Sequence, residues 1–281
     1  MRIGILRIRL SDRSAPLVAV SLLLFTSALF PARGARDTPA GTPQKTAKQK
    51  HPSKPPAAKD LPMPFHVGEI LNYRVSWSVF SNAASVQLNI PERRSLLDWP
   101  TWHFRASAHT LSPARSLATI DDQFDSYTDA VSLESRQFEM HLDEMGRKKE
   151  QTIYLVAQGQ TPRPGFPATL VLADTRDPLG ALYALRSVDW QKTPEYRAPV
   201  FDGKNLFDMH ARLEAANETV AVAAGSYQAS RISIRIYQAG SEVTGSSFLV
   251  WLARDSAHTP VQMQADIPFG SLRVELTSSS Q

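Results

Sequence analysis

From residue 65 onward the sequence repeats short runs in which apolar and polar residues alternate, and this pattern constrains the fold more than any other feature. In one such run Leu71, Tyr73, Val75 and Trp77 occupy every second position. Because successive side chains of a β-strand point to opposite faces, the run predicts a strand with one buried face. Similar runs recur over residues 86–90, 102–108, 138–142, 153–155, 207–213, 232–236, 248–252, 261–265 and 272–276. The pattern predicts about a dozen strands.

Turn residues lie between these runs, as the connections of an antiparallel meander require. We expect hairpin turns at Glu144-Met145-Gly146, Asp202-Gly203, Ala216-Asn217-Glu218, Gly240-Ser241 and Pro268-Phe269-Gly270. Asp177, followed by Pro178 and apolar residues at helical spacing, predicts a short helix over 178–187, and residues 111–118 show a shorter helical pattern. The chain is therefore predicted to be all-β and mainly antiparallel: a curved antiparallel meander or partly open β-barrel with one or two short helices.

Residues 1–34 have the composition of an export signal. Four arginines precede an apolar run of 14 residues over 17–30, and Ala32-Arg33-Gly34 offers small residues at the positions that a signal peptidase reads. As a helix this run would extend about 21 Å, less than the roughly 30 Å hydrocarbon core of a membrane. We predict cleavage near Gly34 and export to the periplasm or cell envelope, with a retained N-terminal membrane anchor as the alternative.

Residues 35–64 contain seven prolines and five lysines and few residues that a core could bury, which predicts a disordered linker. Residues 65–281 then form a single β domain. The whole chain has 31 basic and 27 acidic residues, but 20 of the basic and 24 of the acidic residues follow residue 61, so the predicted domain is mildly acidic. Because the excess of basic residues precedes the domain, we expect no nucleic-acid binding.

Several short motifs resemble, in order and spacing, landmarks of the DUF3108 family. They are Phe65-x-x-Gly68-Glu69-x-Leu71-x-Tyr73-x-Val75-x-Trp77, Asp125-Ser126-Tyr127, Asp177-Pro178-Leu179, Val200-Phe201-Asp202-Gly203-Lys204, Gly225-x-Tyr227-x-Ala229-x-Arg231-Ile232, Trp251-Leu252-Ala253-x-Asp255 with Pro260-Val261, and Phe269-Gly270-Ser271. The resemblance covers residues 65–276. It implies an exported, mostly β protein of the bacterial envelope without an assigned biochemical function, and it supplies no catalytic residues.

The sequence lacks the usual patterns of catalysis and cofactor binding. It has no cysteine, which excludes a lipoprotein anchor, disulfides and thiol chemistry, and no phosphate-binding glycine loop, G-x-S-x-G or H-E-x-x-H. Histidines with the potential to ligate a metal are His66, His103, His109, His141, His210 and His258. None belongs to a zinc motif, and solvent-facing strand positions explain them better. We expect no catalytic residues, no metal site and no cofactor.

Residues 121–129 carry polar side chains at alternate positions, namely Asp121, Gln123, Asp125, Tyr127 and Asp129. The spacing resembles a calcium loop, but Ser126 replaces the glycine of the sixth position and Ser132 the glutamate of the twelfth. As a strand, the five side chains line one face. They form either a polar strip inside a barrel, where a hydroxylated or cationic group would bind, or an ordinary solvated face.

Aromatic residues provide a second candidate site. If the sheet curls, Tyr73, Trp77 and Trp251 would line a cavity for an apolar chain, although a row of aromatic residues on one face is more often core. Glu69 and Asp255 lie at strand ends and would either close that cavity or cap turns. The candidate ligand-binding residues are therefore Glu69, Tyr73, Trp77, Asp125, Tyr127, Trp251 and Asp255.

These features indicate a non-catalytic binding or assembly factor for a lipid-like or other envelope-derived ligand. One alternative is an envelope hydrolase or transferase that uses Asp125 and Glu69 with a histidine. Another is a structural protein that binds an envelope protein by edge-strand addition. The interior of the sheet distinguishes them: a dry pocket favours a lipid, converging carboxylates with a histidine favour catalysis, and a packed interior with an exposed edge favours a protein partner.

Overall fold

The computed structural model describes residues 62–243, 247–267 and 270–280. The predicted signal peptide and most of the predicted linker lie outside the described residues. The described elements follow one another in this order: β1 (Ile70–Trp77), β2 (Phe80–Leu96), β3 (Trp99–Thr110), β4 (Asp121–Asp129), β5 (Ser135–Glu144), β6 (Arg147–Ala157), β7 (Ala168–Val171), α1 (Pro178–Ser187), β8 (Glu195–Phe201), β9 (Leu206–Val222), β10 (Gly225–Gln238), β11 (Ser241–Glu242), β12 (Ser247–Ala253), β13 (Pro260–Ile267) and β14 (Gly270–Ser280).

The strands form one sheet made of two meanders. Strands β1 to β6 are neighbours in sequence order, as are β8, β9, β10, β12, β13 and β14, and the pairing of β1 with β14 joins the two sets. The short strand β11 pairs with β10 beside this path. Strand β7 extends the sheet beyond β6 in a parallel pairing, whereas the other strand pairs described are antiparallel. The predicted meander is confirmed, with one parallel pair at its end.

The two ends of the sheet approach each other through the segment that precedes α1. Arg176 forms a parallel bridge with Val200 of β8. The backbone N–H of Ser135 on β5 donates to the carbonyl of Thr175 at 3.0 Å. The sheet is therefore a nearly closed barrel, in agreement with the predicted partly open barrel.

Helix α1 packs against the inner, apolar face of the sheet. Its N-cap is Asp177, whose carboxylate accepts a hydrogen bond from the Gly180 N–H at 2.9 Å, and Pro178 begins the helix as predicted. Tyr183 is fully buried and stacks on Phe104 of β3 with ring centroids 3.7 Å apart. The helix thus occupies the interior that a curved sheet would otherwise leave open.

One local prediction was wrong and another is confirmed only in part. Ala216-Asn217-Glu218 does not form a hairpin turn but lies within β9, where the register changes from Leu213↔Ile232 to Glu218↔Ala229. Strand β10 continues to pair on both sides of these residues, so β9 accommodates its extra residues as a β-bulge instead of reversing direction. Of the helical pattern over 111–118, a single 3₁₀ turn forms at Ala114–Ser116.

Candidate functional site

Glu69 forms an ion pair in the interior of the sheet with Arg186 of α1. The two guanidinium nitrogens of Arg186 donate to the two carboxylate oxygens at 2.6 and 2.7 Å, and both side chains are at most 1% exposed. Arg186 also donates to the carbonyl of Ala257 at 3.0 Å. Burial acts to lower the pKa of Arg186, but the bond to Glu69 more than offsets it and raises the pKa. Glu69 therefore anchors α1 inside the sheet.

Tyr73 and Trp77 lie on β1 as predicted, and each packs against other side chains of the described residues. Tyr73 is 2% exposed, its hydroxyl donates to the carbonyl of Pro260 at 2.8 Å, and burial raises its pKa well above the ordinary value. Trp77 is partly buried at the end of β1 and stacks on Phe80 with centroids 6.2 Å apart. Tyr73 is thus a core residue, and Trp77 packs at the margin of the core.

Trp251 and Asp255 have structural partners of their own. The indole N–H of Trp251 donates to the carboxylate of Glu218 on β9 at 2.8 Å. The carboxylate of Asp255 accepts hydrogen bonds from the backbone N–H groups of Ala257 and Thr259 and from the Thr259 hydroxyl, so it caps the turn after β12. Both side chains therefore have hydrogen-bond partners within the protein.

Asp125 belongs to a buried polar cluster on the outer face of the sheet. Phe124 and Ser126 point to the core and to α1, which places Asp125 on the opposite face. Asp125 is 1% exposed, and its carboxylate lies 2.6 Å from His103 Nε2 and accepts from Arg105 and Gln123, each at 2.7 Å. Burial acts to raise the pKa of Asp125, but these three bonds hold it below its ordinary value. The predicted polar strip exists on the outside of the barrel.

Tyr127 lies in the next row of the same face. Its ring stacks on His103 with centroids 4.4 Å apart, and the guanidinium of Arg94 lies 4.4 Å above it. Burial raises the pKa of the Tyr127 hydroxyl to about 12. The ring therefore covers the His103–Asp125 contact from one side.

Two residues on β5 that sequence analysis did not combine with Asp125 complete this cluster. Glu139 pairs directly across from Asp125, and His141 follows on the same face. One ligand atom from each of these three residues lies within 4.8 Å of the other two. The available signal was the Glu-x-His spacing, which places both side chains on one strand face, but the sequence alone did not give the register with β4.

A second feature outside the predicted residues is an open groove of about 420 Å³ where β6 and β7 meet the start of β3. Its lining includes Leu97, Trp99, Tyr154, Phe166 and Ala168, and we call it the edge groove. The guanidinium of Arg136 lies 4.3 Å from the Trp99 ring centroid, and that of Arg163 lies 5.7 Å from the Phe166 ring centroid. The wall of the edge groove is thus aromatic and its rim carries guanidinium groups.

Strand β7 brings further apolar surface to the edge groove. Leu170 is 60% exposed and lies on the same strand face as Ala168, and Leu172 just beyond the strand is 44% exposed. Trp99 and Phe166 are also more than one third exposed. Sequence analysis missed this strand because it is short and follows a segment rich in proline and glycine. The sequence signal for β7 was the spacing of two apolar residues, Leu170 and Leu172, at alternate positions.

Within the part of the chain that the structure describes, no helix has both the length and the apolar character needed to cross a membrane.

Comparisons with known proteins support the family resemblance. The family described as "Protein of unknown function (DUF3108)" matches residues 72–277. The curated proteins include no match to this sequence.

Solved structures include three distant matches. A β-barrel-like protein of the domain of unknown function DUF1849 from Brucella abortus aligns with a TM-score of 0.45 and 11% identity, over 76% of this chain and 97% of that chain. A "putative lipoprotein" from Parabacteroides distasonis aligns with a TM-score of 0.37 and 11% identity, over 78% and 97%. A "putative exported protein with YmcC-like fold" from Bacteroides fragilis aligns with a TM-score of 0.36 and 10% identity, over 78% and 98%.

Proposed function

The chain belongs to the DUF3108 family, and from its surface we propose that it is an exported, non-catalytic assembly factor that binds an extended apolar segment of an envelope protein along β7 and the edge groove. The export part of this proposal is supported by the signal-like composition of residues 1–34. The binding part depends on one observation: an edge strand of the sheet carries exposed apolar side chains next to an aromatic groove.

Edge strands are ordinarily protected against pairing with other chains. Strand β6 extends past β7 at its start, where its residues are Arg147, Lys148, Lys149 and Glu150. These charged side chains protect that part of the edge. Strand β7 contains no charged residue and exposes Leu170 to solvent. Among the described residues its strand pairing is with β6 alone. An edge that is short, apolar and uncharged is therefore available for a partner strand.

The backbone of β7 favours a peptide over an acyl chain as the occupant. A peptide strand that adds to a sheet edge satisfies the unpaired N–H and C=O groups along it, and its alternate side chains enter adjoining pockets. An acyl chain has no groups that pair with a strand edge. The edge groove lies on the same face as Leu170, so apolar side chains of an added strand would reach Trp99 and Phe166.

The positive charge at the rim of the edge groove predicts an acidic residue in the partner segment. Arg163 is half exposed, and its carboxylate partner Asp98, at 3.5 Å, is almost fully exposed, so water screens that pair strongly. Arg136 is already paired with Glu134 at 3.1 Å. Arg163 is therefore the cation available to an incoming ligand, and an acidic residue between the apolar positions of the partner segment would complement it.

The interior of the barrel gives less support to two other functions, namely binding of a lipid-like ligand and catalysis by a hydrolase or transferase. Helix α1 packs on the inner face of the sheet and Tyr73 belongs to the buried core, which favours a packed interior over a lipid pocket. The carboxylates of Glu69 and Asp125 lie on opposite faces of the sheet, so they do not form the acid pair of a hydrolase or transferase.

The test uses two fluorescent probes on the full chain: an extended peptide of alternating leucine and glutamate, and a dansyl-labelled fatty acid. We expect the peptide to bind, and Leu170→Asp to weaken its binding by about tenfold or more, since one buried leucine side chain is worth about 1.5–3 kcal/mol. The matched control is Val79→Asp, because Val79 is 85% exposed in the turn between β1 and β2.

Fluorescence anisotropy gives both affinities. If the fatty acid alone binds and Leu170→Asp abolishes it, the edge groove is a lipid site and the peptide proposal is wrong. If neither probe binds, or if both variants bind equally well, β7 is not the binding edge.

A further inference from the structure

The polar cluster on β4 and β5 contains a set of metal-ligand atoms that the proposed peptide binding does not use. The sheet register places Asp125 directly opposite Glu139, and His141 is two residues further along β5 on the same face. A carboxylate oxygen from each acid and a ring nitrogen of the histidine all lie within 4.8 Å of one another. Two strands of a rigid sheet therefore hold three mixed ligands at a single point.

The hydrogen bonds of the two carboxylates leave acceptors free at that point. Asp125 Oδ1 contacts Arg105 and His103, whereas Oδ2 accepts from Gln123 alone and keeps one lone pair. Glu139 Oε1 accepts from Gln137, and Glu139 Oε2 lies 3.6 Å from His141 Nε2. Each of the two carboxylates thus keeps an acceptor position that the described hydrogen bonds do not occupy.

The charges in this row of the sheet also favour a cation. Two carboxylates that face each other directly across neighbouring strands repel each other. Arg105 neutralises Asp125 from the β3 side at 2.7 Å. Among the described residues Glu139 has His141 as its ion-pair partner and no lysine or arginine within ion-pair distance. A cation between Asp125 and Glu139 would remove this repulsion.

We infer that Asp125, Glu139 and His141 form a binding site for a divalent transition metal ion of the zinc class. One nitrogen and two oxygen ligands suit Zn²⁺, whereas Mg²⁺ and Ca²⁺ prefer oxygen ligands alone. Zinc bonds of about 2.0–2.2 Å place neighbouring ligand atoms about 3.3–3.6 Å apart in a tetrahedron. The Glu139–His141 separation of 3.6 Å already lies at the upper end of this range, and all three ligand atoms lie within 4.8 Å of one another.

The surroundings of the three ligands define what the bound ion would expose. The Asp125 side chain is 2% exposed and forms the inner wall, while those of Glu139 and His141 are 21% and 41% exposed and face solvent. Three protein ligands leave the fourth zinc position to water. Arg105, His103 and Gln123 orient the Asp125 carboxylate, as partners of metal ligands usually do.

Two other histidine–carboxylate pairs among the described residues lack this arrangement. His109 lies 3.0 Å from Asp121, but Arg115 donates two hydrogen bonds to the same carboxylate and takes the place of a cation. His210 pairs with Asp208 at 2.6 Å, and both residues are on one strand without a third ligand. His109→Asn is therefore the matched control for His141→Asn.

The test is isothermal titration calorimetry of the full chain with zinc chloride as the probe. We expect one equivalent of Zn²⁺ to bind, with affinity about tenfold or more lower in His141→Asn and in Glu139→Gln and unchanged in His109→Asn. Circular dichroism confirms that each variant keeps its β-sheet spectrum.

Cobalt(II) provides an independent readout of geometry. If Co²⁺ replaces Zn²⁺ at this site, the wild-type chain should show the visible absorption of a four-coordinate ion, and Glu139→Gln should abolish it. The inference is overturned if the wild type binds no Zn²⁺, or if the His141→Asn and Glu139→Gln variants bind it as tightly as the wild type does. It is also overturned if His109→Asn loses binding to the same extent, since the ion would then bind elsewhere.

Discussion

Asp125 shows how a single side chain acquires its properties from neighbours that are distant in sequence. It is the middle residue of the polar strip over 121–129, and sequence analysis correctly placed that strip on one strand face. Its burial depends on His103 and Arg105 from β3, which the sequence alone did not place beside it. Alternation predicts which residues share a face, but the register between strands decides which of them touch.

The ionised form of Asp125 stabilises the folded chain, and this effect should depend on pH. Its pKa in the folded protein lies below the value of about 3.9 for an unfolded chain, so the stabilisation is complete above that value and is lost as the pH falls through the folded pKa. We expect Asp125→Asn to reduce the free energy of unfolding by about 1–3 kcal/mol at about pH 6. The difference from wild type should shrink at about pH 3.

Urea unfolding in metal-free buffer at the two pH values measures this difference. Asp98→Asn is the control, because the Asp98 side chain is 93% exposed and its removal should leave the free energy of unfolding nearly unchanged at both pH values. A difference between wild type and Asp125→Asn that stays constant with pH would contradict the account.

At the scale of elements, local signals predicted α1 accurately and β7 not at all. Asp177 and Pro178 specify the start of α1 through a side-chain cap and a fixed backbone angle, both of which act within a few residues. Strand β7 has four residues and pairs in parallel with β6, so neither its length nor a hairpin turn marks it in the sequence. The misplaced turn at residues 216–218 has the same origin, because pairing with β10 overrides a local turn preference.

The position of α1 inside the sheet depends on the Glu69–Arg186 ion pair. We expect Glu69→Gln and Arg186→Met each to lower the free energy of unfolding by about 3–5 kcal/mol, because each leaves part of a buried ion pair without its partner. The double variant Glu69→Leu with Arg186→Met should be more stable than either single variant, since it leaves no buried charge unpaired.

Urea unfolding of the three variants tests this pair, with Arg74→Met as the control. Arg74 pairs with Glu275 at 2.9 Å, but its side chain is 42% exposed, so its loss should cost about 1 kcal/mol or less. Single variants at Glu69 and Arg186 that are as stable as Arg74→Met would show that the pair does not hold the helix.

Across the whole molecule, α1 packs on the inner face of the barrel and the outer face is exposed to solvent. Helix α1 and buried aromatic residues pack on the inner face of the sheet. The sequence could not show this, because aromatic residues of a core and those of a pocket wall have the same alternation. Tyr73, Trp77 and Trp251 lie on strands as predicted, and their role in ligand binding stays a prediction. The two surfaces to which we assign binding are the edge groove with β7 and the polar cluster of β4 and β5.

The most direct test of the central claim, that β7 is the edge that binds a partner protein, is photo-crosslinking in intact cells. Benzoylphenylalanine is introduced in place of Leu170, and in place of Val79 as the matched exposed control. After irradiation, mass spectrometry measures the mass added to the chain. If β7 binds a partner strand, position 170 should give a discrete adduct of protein mass and position 79 none. An adduct of lipid mass, no adduct, or the same adduct from both positions would contradict it.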